Sequence, residues 1–128
     1  MTKQAIFGDS PRSHLPFSPA LRAGPFVFVS GQASVNDEGK IVSGTFREEF
    51  QRSIANVERI LKAAGCTLQD VVKVNSYLGH AEDLGEYNQL YRGLFSEPFP
   101  ARTTLVGVLD GCGLKYEVDV IAYRAESA

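Results

Sequence analysis

Histidine and cysteine are scarce in this chain, two of each among 128 residues. None stands where familiar chemistry would use it. Cys66 and Cys112 show neither metal-ligand nor redox spacing, and no Cys/His cluster could hold zinc. No Gly-x-Ser-x-Gly elbow accompanies His14 or His80, so a Ser-His-Asp triad lacks its usual setting. Both histidines lie in loop-like surroundings and read as solvated surface residues. The glycines of Asp110-Gly111-Cys112-Gly113 do not follow a strand and open a helix, as a phosphate cradle must, and read as a hairpin turn. Asp110 and Glu117 could pair as acid and base, though acidic residues near a turn are usually only solvated.

Positive charge is not in excess either. Thirteen basic residues stand against 15 acidic ones, net -2 and interspersed, so no stripe awaits a phosphate backbone and nucleic-acid binding is not expected. No apolar run approaches the ~20 residues of a membrane helix. Nothing behind Met1-Thr2-Lys3-Gln4 reads as an export signal, which makes the cytosol the expected compartment and thiols the expected state of both cysteines.

What is present suits one compact domain over residues 1–128, with 44% hydrophobic and 22% charged residues. Pro25-Phe26-Val27-Phe28-Val29-Ser30-Gly31 reads as a strand. The turn-forming Asn36-Asp37-Glu38-Gly39-Lys40 would let Ile41-Val42 pair back as a hairpin. Phe46, Phe50, Ile54, Val57, Leu61 and Ala64 form one apolar stripe at helical spacing, predicting a helix over 46–64. Thr45 and Glu48 have capping-box spacing, and Gly65 is placed to end the helix.

A strand over 71–78 follows, with Val72, Val74 and Leu78 on one face and Lys73, Asn75 and Tyr77 on the other. Leu84, Tyr87, Tyr91 and Phe95 predict a second helix over 82–96, stopped by Pro98 and Pro100. Strands over 102–108 and 116–123 complete the order β-β-α-β-α-β-β. The fold class is α+β, a single mixed sheet with two helices packed on one face. The second face would lie bare and mixed in polarity, and copies of the same chain are its simplest cover, so a closed homo-oligomer is expected.

Arg102 is the residue this pattern leaves unexplained. It opens an apolar strand, where a buried charge is costly unless a carboxylate answers it. The partner could be Asp119 on the neighbouring strand, a structural pair, or the carboxylate of a ligand gripped by two parallel hydrogen bonds. Pattern alone sets the structural pair slightly ahead.

Several segments together resemble the Rid family, the reactive intermediate deaminases also called the YjgF or L-PSP family. They include Pro16-Phe17-Ser18-Pro19-Ala20, Val29-Ser30-Gly31-Gln32, Gln51…Asn56-Val57…Ala63-Ala64-Gly65, Val71-Val72-Lys73-Val74, Asn88…Tyr91…Phe95, Phe99-Pro100-Ala101-Arg102-Thr103 and Glu117-Val118-Asp119-Val120-Ile121-Ala122. They run through nearly the whole chain in order, and Pro-Ala-Arg before a strand is the distinctive part.

The resemblance implies a chorismate-mutase-like fold whose sheet closes with two copies into a trimeric β-barrel, with clefts between adjacent subunits. Active members hydrolyse 2-aminoacrylate and 2-imino acids to 2-keto acids and ammonia, without metal or organic cofactor. By that likeness Arg102 binds the substrate carboxylate, the amide near Thr104 and the carbonyl of Gly31 frame the ligand, and Asp119 positions the water. Phe17, Ser30 and Asn88 also belong to the expected site.

Three departures accompany it. Asp119 stands where the family commonly has glutamate, Phe17 where the best-studied deaminases have tyrosine, and Thr104 where a cysteine is frequent. The competing readings are a non-catalytic carboxylate-binding or chaperone-like trimer, favoured by Phe17 and Asp119, and an RNA-acting translation inhibitor or endoribonuclease.

Overall fold

A computed structural model describes residues 2–9 and 15–125; His14 lies outside them. The chain forms β1 (Gln4–Ile6), β2 (Ala20–Ala23), β3 (Phe26–Ala33), α1 (Phe46–Ala63), β4 (Val71–Leu78), α2 (Leu84–Leu94), β5 (Ala101–Val106) and β6 (Tyr116–Tyr123). Two single 3-10 turns, Leu68–Asp70 and Ala81–Asp83, precede β4 and α2. All six strands join one mixed sheet in the order β1-β2-β3-β6-β4-β5. The β4–β5 pair is parallel, with α2 in its crossover, and every other pair is antiparallel.

α1 begins where expected. The Thr45 hydroxyl accepts from the Glu48 amide while the Glu48 carboxylate accepts from the Thr45 amide. Both helices lie on one face of the sheet, where Phe46, Phe50, Tyr87 and Tyr116 form an aromatic cluster with centroids 4.9–6.3 Å apart. Tyr87 and Tyr116 are fully buried, and the hydroxyls that burial would otherwise strand are satisfied. Tyr87 donates to Ser76 Oγ (2.8 Å), which lies 2.9 Å from the Tyr116 hydroxyl. Buried Glu49 ties α1 to the far end of the sheet, accepting from the Lys115 amide (2.9 Å), Lys115 Nζ (3.2 Å) and the Gly44 amide (3.3 Å).

Ile41-Val42 pairs back across the turn as expected, through an antiparallel bridge of Ile41 to Val35 and the Val42 amide donating to the Ser34 carbonyl (2.8 Å), while the Ser34 hydroxyl donates to the Val42 carbonyl. Three expectations are corrected. A β-bulge between Val71 and Lys73 slips the alternation by one, so Val71 is buried and Val72 faces outward. The second helix is shorter, since 3-10 geometry takes its start and Phe95 is already extended. The segment 107–115 is not a hairpin turn: β5 and β6 are not neighbours, because β4 lies between them.

The other sheet face carries Phe26, Phe28, Leu105 and Tyr123, each well exposed. Polar pairs lie among them. Lys73 donates to Thr103 (2.8 Å), and Asp119 accepts from Asn75 (2.8 Å) and from the Tyr77 hydroxyl (2.7 Å).

Candidate functional site

The expected site residues fall into two groups. Arg102 lies on the edge strand β5, opposite Val74 of β4. Val74 is buried under the helices, so Arg102 projects to the helix side. Its guanidinium carbon lies 4.8 Å from the Tyr91 ring centroid and 5.0 Å from that of Tyr87. No carboxylate pairs with it among the described residues. It borders an open hollow of about 250 Å³ together with Asn88, Tyr91, Arg92, Phe99 and Pro100. Thr104, two residues along the same strand, has its hydroxyl 3.3 Å from that of Tyr87. Arg102 and Asn88 therefore share one hollow, whose lining has two cations and no anion, and Thr104 follows two residues along the strand.

Phe17, Ser30 and Gly31 make the second group. Phe17 is 54% exposed and shares a hollow of about 570 Å³ with Lys3, Leu21, Phe28 and Ser30. The Ser30 hydroxyl donates to the Ser18 carbonyl (2.5 Å) and its amide to Pro19 (2.9 Å). Ser30 thus fastens the segment that presents Phe17. The β3–β6 register shifts between Val29 and Gln32, so Ser30 and Gly31 form a bulge. At Gly31 an added Cβ would sit 2.5 Å from a carboxylate oxygen of Glu117. That carboxylate therefore lies against the Gly31 backbone, and a side chain at 31 would have to displace it.

Asp119 joins neither group in the way expected. It stands opposite Asn75, on the sheet face away from Arg102, and β4 separates their strands. A structural Arg102–Asp119 pair does not form. Both Asp119 oxygens are taken by Asn75 and Tyr77, and its hydrogen bond pushes the Tyr77 phenol up to about 12.

Glu117, which pattern reading left as a solvated acid near a turn, is half-buried beside Gly31. Burial, and then the charge of Asp119, raises its carboxyl above the ordinary range. Strand alternation puts 117 and 119 on the same face, so sequence period alone could not choose between them. The β3 bulge does.

Three strand spacings separate β3 from β5, about 14 Å at ~4.8 Å each. A single chain does not bring Arg102 to Gly31.

The chain matches the family described as Endoribonuclease L-PSP over residues 7–124. It is 37% identical over 126 residues to a RutC family protein of Pyrococcus abyssi, covering 97% of this chain and 99% of the relative. It is 32% identical over 110 residues to the human 2-iminobutanoate/2-iminopropanoate deaminase, covering 85% and 80%. The crystal structure of RidA from an Antarctic Psychrobacter superposes with a TM-score of 0.82 at 32% identity, covering 94% of this chain and 98% of that one.

Proposed function

The chain belongs to the Endoribonuclease L-PSP family, which includes the Rid and YjgF proteins, and from that premise we propose that it hydrolyses 2-imino acids and their enamine tautomers to 2-keto acids and ammonia. One observation carries the reading: Arg102 faces an open hollow with no carboxylate partner among the described residues. A guanidinium in that state is ready for a small carboxylate, gripped by two parallel hydrogen bonds. The relatives named as imine deaminases act on such compounds.

The chemistry asks little of the protein. An imine next to a carboxylate is already electrophilic, and fixing it beside a water supplies much of the rate. Arg102 and Asn88 orient the substrate, and the Thr104 amide and Gly31 carbonyl frame it. Glu117, rather than Asp119, whose oxygens accept from Asn75 and Tyr77, takes a proton from the attacking water and returns one to the nitrogen. The hydroxyl proton of the tetrahedral adduct then passes through the same carboxylate to the amino nitrogen, and the C–N bond breaks as the C=O forms, leaving the keto acid and ammonia. No metal or organic cofactor takes part.

The two groups meet when the Arg102 hollow of one copy closes over the Phe17–Gly31–Glu117 surface of the next. Three copies arranged in a ring, with their exposed sheet faces inward as a barrel, give three such clefts. Cys66 and Cys112 are both free thiols, which suits a reducing compartment, and we place the protein in the cytosol. RNA, the substrate in the family's description, is poorly served by a chain of net charge -2.

The test uses 2-iminopropanoate generated in situ. The purified protein should accelerate pyruvate release, and Arg102→Ala should reduce the acceleration by at least about a hundredfold while the protein stays folded, since a bidentate charged contact is lost. Equal rates for the two proteins would refute the reading.

A further inference from the structure

We propose that Tyr87 and Tyr91 form an aromatic bracket that holds the Arg102 guanidinium in place of a carboxylate counter-ion, so that its N–H donors stay available to substrate. The proposal rests on the reading that Arg102 grips a carboxylate, and it assigns Tyr87 and Tyr91 as positioning residues for that contact.

A flexible arginine on an edge strand needs something to keep it aimed. An acidic neighbour would do so at a cost to function, because it would compete with the incoming carboxylate for the same donors. Ring faces attract a cation through their quadrupole and take up no N–H donor. Here the guanidinium carbon lies within 5.0 Å of two ring centroids at once, while no carboxylate pairs with it among the described residues.

The bracket is stiff. The two rings contact each other edge-on at 5.7 Å. Tyr87 is locked by its hydrogen bond to Ser76 and by packing against Phe50 and Tyr116, and Tyr91 packs at a tilt against Phe95 with centroids 4.7 Å apart.

The Tyr91 hydroxyl gives a second indication. It is buried and has no hydrogen-bond partner among the described residues, so its oxygen contributes nothing that explains a tyrosine as hydrogen-bonding group. What the side chain offers the site is its ring. Phenylalanine at 91 therefore keeps the proposed role and sheds an unsatisfied hydroxyl.

That property makes a clean experiment. In the full-length protein, residue 91 is replaced by phenylalanine and then by mono-, di- and trifluorinated phenylalanine, which keep the ring's shape while draining its face of negative potential. Binding of pyruvate is measured by calorimetry, and KM and kcat with 2-iminopropanoate. Tyr91→Phe is the reference of the series, since it removes the hydroxyl and keeps the ring. Each added fluorine should weaken pyruvate binding and raise KM, to roughly fivefold to tenfold in total, with kcat and the thermal midpoint nearly constant.

A merely structural ring would not follow the fluorine count. A flat series, with Arg102→Ala still abolishing binding, overturns the bracket and leaves the carboxylate site standing. Pyruvate binding that survives Arg102→Ala overturns both.

Discussion

At the scale of single residues, two acids on one strand have been given opposite fates by their neighbours. Asp119 has each oxygen occupied by a donor, whereas Glu117 sits half-buried against a glycine with its carboxyl raised. Because the folded-state pKa of Glu117 lies above the unfolded one, the native protein holds a proton that the unfolded chain has already released. Its stability contribution is full below the unfolded value and is lost as pH rises through the folded value. Ionising Glu117 therefore weakens the fold, and in the proposed mechanism the same carboxylate serves as the base.

Glu117→Gln should raise the thermal midpoint at pH 7 and lower kcat by about a hundredfold or more. An unchanged kcat would move the base to Asp119. In the parent, activity should fall on the acid side at a pH above the ordinary glutamate range, and the pH–rate profile of kcat/KM reads it. Arg102 was legible in the sequence because a charge opening an apolar strand demands an explanation. Glu117 was not, since what distinguishes it is a bulge in another strand.

At the scale of elements, local signals located α1 well. Thr45, Glu48 and Gly65 mark its ends, and Gly65 has the positive φ (77°) that suits a helix terminator. β1 and β2 escaped notice, being three and four residues long and half-exposed, too short to show a period. The neighbours of each strand were equally hidden. Alternating patterns say that β5 and β6 are strands, but nothing local says that β4 separates them.

Glu49 belongs to this scale, as a charge inside a helix stripe that holds the segment before β6. Glu49→Ala should cost about 2–3 kcal/mol in chemical denaturation, because the Lys115 amide and ammonium lose a charged acceptor. A cost under about 0.5 kcal/mol would show that solvent replaces the contact.

For the whole molecule, the bare sheet face is the feature that composition and periodicity anticipated. Phe28 is 43% exposed and Leu105 is 48% exposed, on a face that also carries paired polar groups. In the proposed ring these residues meet other copies. Leu105→Asp should then yield a lighter species by sedimentation and lose imine hydrolysis, since the half-sites no longer meet. A variant that sediments and turns over like the parent would detach activity from assembly.

The position of β6 carries a different consequence, in the order of events during synthesis. The sheet is two separate pieces, β1-β2-β3 and β4-β5, until the last strand slides between β3 and β4 and hydrogen-bonds to both. During synthesis the edges of β3 and β4 leave the ribosome before the residues that pair with them. Such edges are templates for pairing with the wrong chain. The strand that joins the two halves of the sheet is thus the one made last, and until it pairs both edges are open to other chains.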